Sequence, residues 1–180
     1  MTKAVNNKMF MQGYAYNRQI LTLILSTLMI YSSTFGQVSS TFRNQLVEQR
    51  IGESNYYISL PENYAIKKTQ GIDFSVYYFL AIDTTQKTNF SGGLYFGNFP
   101  SQFGPANDSC KITTVRSKIL KKISKWTIYI CQGDYTLQTI VEIKDNKDWN
   151  ELIHAFGRAN YEDDINKVLY IYSTLRQKRK

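Results

Sequence analysis

Apolar and polar positions alternate along most of the chain between residues 56 and 143, and this period of two predicts a series of short strands. Residues 56–60 form the first, Pro61-Glu62-Asn63 is a turn signal, and residues 64–68 form the second. Gln70-Gly71 then turns the chain into residues 73–82, the strongest strand pattern in the sequence. There Phe74, Val76, Tyr78 and Leu80 share one face and Tyr77 and Phe79 the other, which predicts a central strand covered on both sides. A polar connection leads to a glycine-rich strand at residues 90–99, where glycine signals a bulge or a close backbone approach. Beyond the loop at 100–109, strands are expected at 111–115, 118–123 and 125–132; Gly133-Asp134 turns the chain, and residues 135–143 return antiparallel.

Three segments carry helical spacing instead. In residues 38–51 the apolar positions are Phe42, Leu46, Val47 and Ile51, with Ser39, Ser40 or Thr41 placed to cap them. Trp149, Leu152, Ile153 and Phe156 predict a short helix that Asp148 caps and Gly157 ends. From Asn160 onward Ile165, Val168, Leu169, Tyr172 and Leu175 make one apolar face. Glu162, Asp163 and Asp164 at its start and Arg176 at its end carry the charges that a helix macrodipole favours there. The fold class expected is α+β: an antiparallel sheet of about six strands flanked by an N-terminal helix and C-terminal helices.

The N-terminus follows a different pattern. Lys3, Lys8 and Arg18 precede a mostly apolar run at residues 20–31, and Ser32, Ser33, Thr34, Phe35 and Gly36 follow it. This is the order of a secretory signal peptide over residues 1–36, cleaved after Gly36, with a single domain at 37–180. The run is shorter than the ~20 apolar residues of a membrane span, which favours a cleaved leader over the alternative of a retained N-terminal anchor. No second long apolar run follows, so no membrane span is expected in the mature chain. A periplasmic or secreted location follows. It changes the meaning of the formal charge of +8. Once the leader's three basic residues leave, 19 basic residues face 14 acidic ones. Four of those basics are Arg176, Lys178, Arg179 and Lys180, so the body of the domain is nearly neutral and nucleic acid is not an expected partner. Fourteen Tyr and ten Phe in 180 residues argue for a folded core and against a disordered chain.

Candidate chemistry is sparse. His154 is the sole histidine, and Cys110 and Cys131 are the sole cysteines, too few for a common metal set without acids that no spacing selects. In an exported chain the two cysteines are expected to pair, closing a loop of about 20 residues. Ser91-Gly92-Gly93 lacks the flanking pattern of a nucleophile elbow, and the glycines at 92, 93 and 97 lack the Lys-Ser/Thr ending of a phosphate loop. Neither a cofactor nor an enzymatic activity is expected. Arg116, Lys118, Lys121, Lys122 and Lys125 form the densest basic run, and alternation is taken to put Arg116, Lys118 and Lys122 on one face. That face either meets an anionic partner or is a solvated strand surface that protects a sheet edge. The aromatic residues Tyr56, Tyr57, Tyr64, Tyr77, Tyr95, Phe96 and Phe99 either line a ligand groove or pack within the sheet. The candidate binding surface is Arg116, Lys118, Lys122, Tyr77 and Tyr95.

The opening Tyr57-Ile-Ser-Leu-Pro-Glu-Asn-Tyr64, the meander after it and the closing helix at 162–175 resemble the PsbP family of small sandwich domains from the photosynthetic oxygen-evolving complex, a fold similar to that of Ran-binding nuclear import factors. The resemblance implies a binding or accessory role beside a larger assembly, and it transfers no functional residue. The function expected is therefore an exported, non-catalytic module acting on a protein partner. A small-molecule or lipid-binding domain and an immunity-type inhibitor of a toxin stand as alternatives. The small-molecule reading requires a real cavity lined by Tyr and Phe, and a hydrolase would require acids converging on His154.

Overall fold

A computed structural model describes residues 38–83, 85, 89–143 and 151–178. The expected leader lies outside the described residues, as do Asp148 and Trp149. The chain opens with a five-residue helix α1 (Ser40–Asn44), capped by Ser39, whose hydroxyl accepts from the Phe42 N–H at 3.2 Å. The helical face expected to run on to residue 51 stops there. Residues from Leu46 form strand β1 (Leu46–Arg50), which pairs antiparallel with β2 (Tyr56–Pro61). β3 (Tyr64–Gln70), β4 (Ser75–Ala81), β5 (Phe90–Gly97), β6 (Lys111–Ile119), β7 (Lys122–Cys131), β8 (Asp134–Ile143) and β9 (Glu151–Ala159) follow, then helix α2 (Glu162–Ser173) and the two-residue strand β10 (Arg176–Gln177).

The α+β class holds. The main sheet has seven strands in the order β3-β4-β5-β9-β8-β7-β6, all antiparallel, and a second sheet has the order β1-β2-β10. The inner face of the main sheet carries Tyr77 and Phe79 of β4, Leu94 and Phe96 of β5, Leu137 of β8 and Trp126 and Ile128 of β7, all buried. Tyr56, Ile58 and Leu60 of β2 and Ile165, Val168, Leu169 and Tyr172 of α2 complete this core. The helix face expected from the sequence is therefore the buried one. Its start differs: Tyr161 takes the capping position without a side-chain hydrogen bond, while the Asn160 N–H donates to the Asn89 carbonyl at 2.9 Å.

The helix expected at 148–157 is instead β9, the middle strand of the main sheet. Ile153, Ala155, Gly157 and Ala159 point inward beneath α2, and His154, Phe156 and Arg158 point outward. Gly157 does not end a helix. A Cβ there would stand 2.9 Å from a Val168 methyl, so the missing side chain lets α2 settle onto the sheet. Gly92 acts similarly: its Cβ would stand 2.7 Å from the Tyr172 hydroxyl. That hydroxyl accepts from the Gly93 N–H at 3.0 Å and donates to the Phe156 carbonyl, joining helix to sheet where β5 meets β9. The close backbone approach expected of the glycine-rich strand is thus found, and burial pushes the Tyr172 phenol well above its ordinary pKa.

Among the described residues, regular structure covers the main sheet on its inner face alone. β4 is second from the edge, and its outward side chains Tyr78 and Leu80 are partly open to solvent, so the expectation of cover on both sides is corrected. The strand expected at 111–115 runs on to Ile119 as β6, and the one expected at 118–123 is interrupted by a turn at Leu120 and Lys121 that leads into β7. Both turn residues have positive φ, 50° and 63°, the backbone of a two-residue hairpin turn that is usually made with Asn and Gly.

Candidate functional site

The outer face of the main sheet holds the site. On it lie Val76 and Tyr78 of β4, Tyr95 of β5, His154 and Phe156 of β9, and Gln138 of β8. Residues 98–110 cross this face as a strap between β5 and β6 without helix or strand of their own. Three contacts fasten it. Gln138 Oε1 accepts from the Phe103 N–H at 2.9 Å, and Gln138 Nε2 donates to the Phe103 carbonyl at 2.7 Å. The Phe103 ring packs edge-on to Phe156, with centroids 5.4 Å apart, and 5.2 Å from the His154 ring. Finally, Cys110 at the far end of the strap is bonded to Cys131 at the end of β7. The disulfide expected from the sequence is present.

These bonds also determine the state of His154. The Phe103 backbone fixes the Gln138 amide, because an N–H must find the oxygen and a carbonyl the nitrogen. His154 Nε2 lies 2.9 Å from the same Oε1, so it carries the proton and donates. The ring is 3% exposed, and that burial holds its pKa below the ordinary histidine value, so it is neutral at neutral pH. Asp73 is the one carboxylate among the residues that line its cavity.

Between strap and strands lies a cleft of ≈ 400 Å³, inside the range of small-molecule sites. Its aromatic walls are Phe74, Tyr78, Tyr95, Phe99, Phe103 and Phe156. Phe74 stacks on Tyr95 at 5.5 Å, and Tyr78 meets Phe156 edge-on at 5.9 Å. Gly93 makes this arrangement possible, since a Cβ there would stand 2.6 Å from the Phe156 ring, which lies across that position. Phe99 stands at the mouth, 79% exposed.

The candidate surface residues are divided by the fold. Tyr95 lines the cleft, whereas Tyr77 is buried on the opposite face of the sheet, edge-on to Phe96. Tyr56, Tyr64 and Phe96 are also in the core, and Tyr57 lies beneath the Lys178 ammonium, 3.9 Å from its ring centre. Arg116 and Lys118 share the outer face of β6, but Lys122 does not join them. The two-residue turn pairs Ile119 with Lys122 and Arg116 with Lys125, so Lys125 completes the outward trio and Lys122 stands on the inner side with Ile119. Sequence reasoning missed Phe74, Tyr78, Phe103 and Phe156 as cleft residues. For Phe74 and Tyr78 the signal was present, since they share a strand face.

Among the described residues, no group of three or more His, Cys, Asp or Glu is placed to hold a metal, and no helix is long and apolar enough to cross a membrane. No protein-family model matches the chain, and neither does any curated protein or solved structure.

Proposed function

We propose that this chain is an exported, non-catalytic binding module that holds a small ligand in the aromatic cleft on the outer face of its main sheet. The cleft itself carries this reading: six aromatic rings converge on ≈ 400 Å³ beneath a strap secured by a disulfide. It supports the small-molecule alternative over a protein partner. The layout of sheet and covering helix, with the opening at residues 57–64, supports a PsbP-like accessory role in the same direction. The disulfide is what an oxidising compartment would sustain. A thermal-shift screen of small metabolites on wild type and on Tyr95→Ala and Phe103→Ala tests the site. Ligands whose stabilisation disappears in the variants support it, and stabilisation indifferent to both variants removes it. N-terminal sequencing of secreted material is expected to begin at Gln37; residues 1–36 retained there would remove the cleavage claim, and finding the protein only in the cytosol, uncut, would remove the export claim.

A second reading rests on a separate observation. Ile112 and Ile123 are 55% and 69% exposed on the outer face of the β6–β7 hairpin, beside Arg116, Lys118 and Lys125. Two exposed isoleucines at opposite ends of a row that carries Arg116, Lys118 and Lys125 suit an acidic protein partner. A partner captured by wild type and lost by Ile123→Asp would support this reading, and one captured equally by both would refute it.

A further inference from the structure

The cleft is unusual in the balance of its lining. Six aromatic side chains form its walls, Asp73 is the one residue of the lining with a formal charge, and no Lys or Arg is among them. Arg158, the next outward position after Phe156 on β9, is drawn aside by an ion pair with Asp134 at 2.5 Å. His154 donates its Nε2–H to Gln138, and burial lowers its pKa, so its charged form is disfavoured.

Ring faces are regions of negative potential, and several of them together with one carboxylate make a site that prefers positive charge. The form of that charge follows from the walls. A primary ammonium is strongly hydrated and needs hydrogen-bond acceptors on three sides to leave water. Ser101 and Asp73 are the non-aromatic oxygen-bearing side chains here, beside the Tyr78 and Tyr95 hydroxyls. A trimethylammonium group needs no hydrogen bond, spreads its charge over methyl groups and gains apolar contact with every ring. A lipid headgroup bearing the same group would bring a phosphate with it, and the lining holds no cation to receive one.

We infer that the aromatic cleft binds a free, small quaternary-ammonium solute, with the rings of Phe74, Tyr78, Tyr95, Phe99 and Phe103 around the cation and Asp73 as its counter-charge. The inference rests on the reading of the cleft as a ligand site and names the chemical class of that ligand.

The test compares choline with its neutral carbon isostere, 3,3-dimethylbutan-1-ol, by calorimetric titration of the protein. The two differ in charge and hardly at all in shape. Choline is expected to bind about tenfold or more tightly than the isostere, and Asp73→Asn is expected to remove most of that preference. Asp73 is exposed and outside the core, so the variant should keep the wild-type near-ultraviolet circular dichroism. Equal affinity for both compounds would overturn the inference. So would no choline binding up to about 10 mM, or binding to phosphatidylcholine vesicles without binding to choline. Failure of the broader ligand reading looks different: neither the isostere nor any screened metabolite would then show binding sensitive to Tyr95→Ala.

Discussion

The side-chain amide of Gln138 completes both backbone hydrogen bonds of Phe103, at 2.9 Å and 2.7 Å, as a neighbouring strand would. One side chain therefore stands in for strand pairing where the strap has none. Gln138→Leu should leave the Phe103 N–H and carbonyl unpaired and cost about 1–3 kcal/mol in urea unfolding. Amide exchange should accelerate within residues 98–110 and remain slow in β8. Unchanged exchange at Phe103 would show that the strap is held by other means.

The Cys110–Cys131 bond closes a stretch of sequence separation 21 and ties the strap to β7. Replacing both cysteines with serine should lower stability by roughly 3 kcal/mol on the chain-entropy account. Reductant should lower the melting temperature of wild type to that of the double variant and leave the variant unchanged. Because the bond anchors a cleft wall, reduction should also weaken ligand binding.

Gly92 and Tyr172 are a coupled pair. Gly92→Ala places a methyl 2.7 Å from the Tyr172 hydroxyl and should cost about 1–3 kcal/mol. Tyr172→Phe removes the hydroxyl together with its bonds to Gly93 and Phe156. The double variant should lose less stability than the two single losses added, and a denaturation cycle measures the difference. Strict additivity would mean that the sheet moves aside instead.

His154 sets a pH dependence. Its folded pKa is held below the ordinary value by burial, so the unfolded chain binds the proton first as pH falls. Stability is full above about pH 6.5, the unfolded value, and declines as pH drops through and below it toward the folded value. The groups around the ring are Gln138, Phe103 and Phe156, with Asp73 the acid in the same cleft. His154→Gln keeps a donor toward Gln138 and should flatten the decline between pH 7 and 5. A carboxylate contribution should survive in the variant at lower pH. There Glu48, its pKa lowered chiefly by the Lys178 hydrogen bond and also by Arg176, loses its ion pairs as it protonates. An identical slope in wild type and variant would exclude His154 as the source.

Sequence pattern revealed the elements that bury large side chains at a regular period and concealed those that do not. The α2 face at Ile165, Val168, Leu169 and Tyr172 was fully legible, and so was the division of β4 into Tyr77 and Phe79 against Tyr78. β9 was not, because beyond Ile153 its inner face is built from Ala155, Gly157 and Ala159 to admit α2. With those small residues discounted, the bulky ones that remained fell at helical intervals. The hairpin at Leu120 and Lys121 carries no Asn or Gly to mark it, and missing it put Lys122 on the wrong face. The cleft needed knowledge of the strap, since Phe103 and Phe156 are 53 residues apart in sequence and meet through Gln138 and the β8–β9 pairing.

Strand β2 borrows one neighbour from just before it, β1, and the other, β10, from more than a hundred residues later. The Ser59 N–H donates to the Thr174 hydroxyl, and Lys178 and Arg176 both reach back to Glu48. A chain that emerges N-terminus first from a ribosome or a pore must therefore keep Tyr56, Ile58 and Leu60 waiting until residues 174–178 are through. During that interval an apolar strand lies half-paired, so a chaperone that recognises extended apolar segments would find its target at residues 56–61, before the domain has closed.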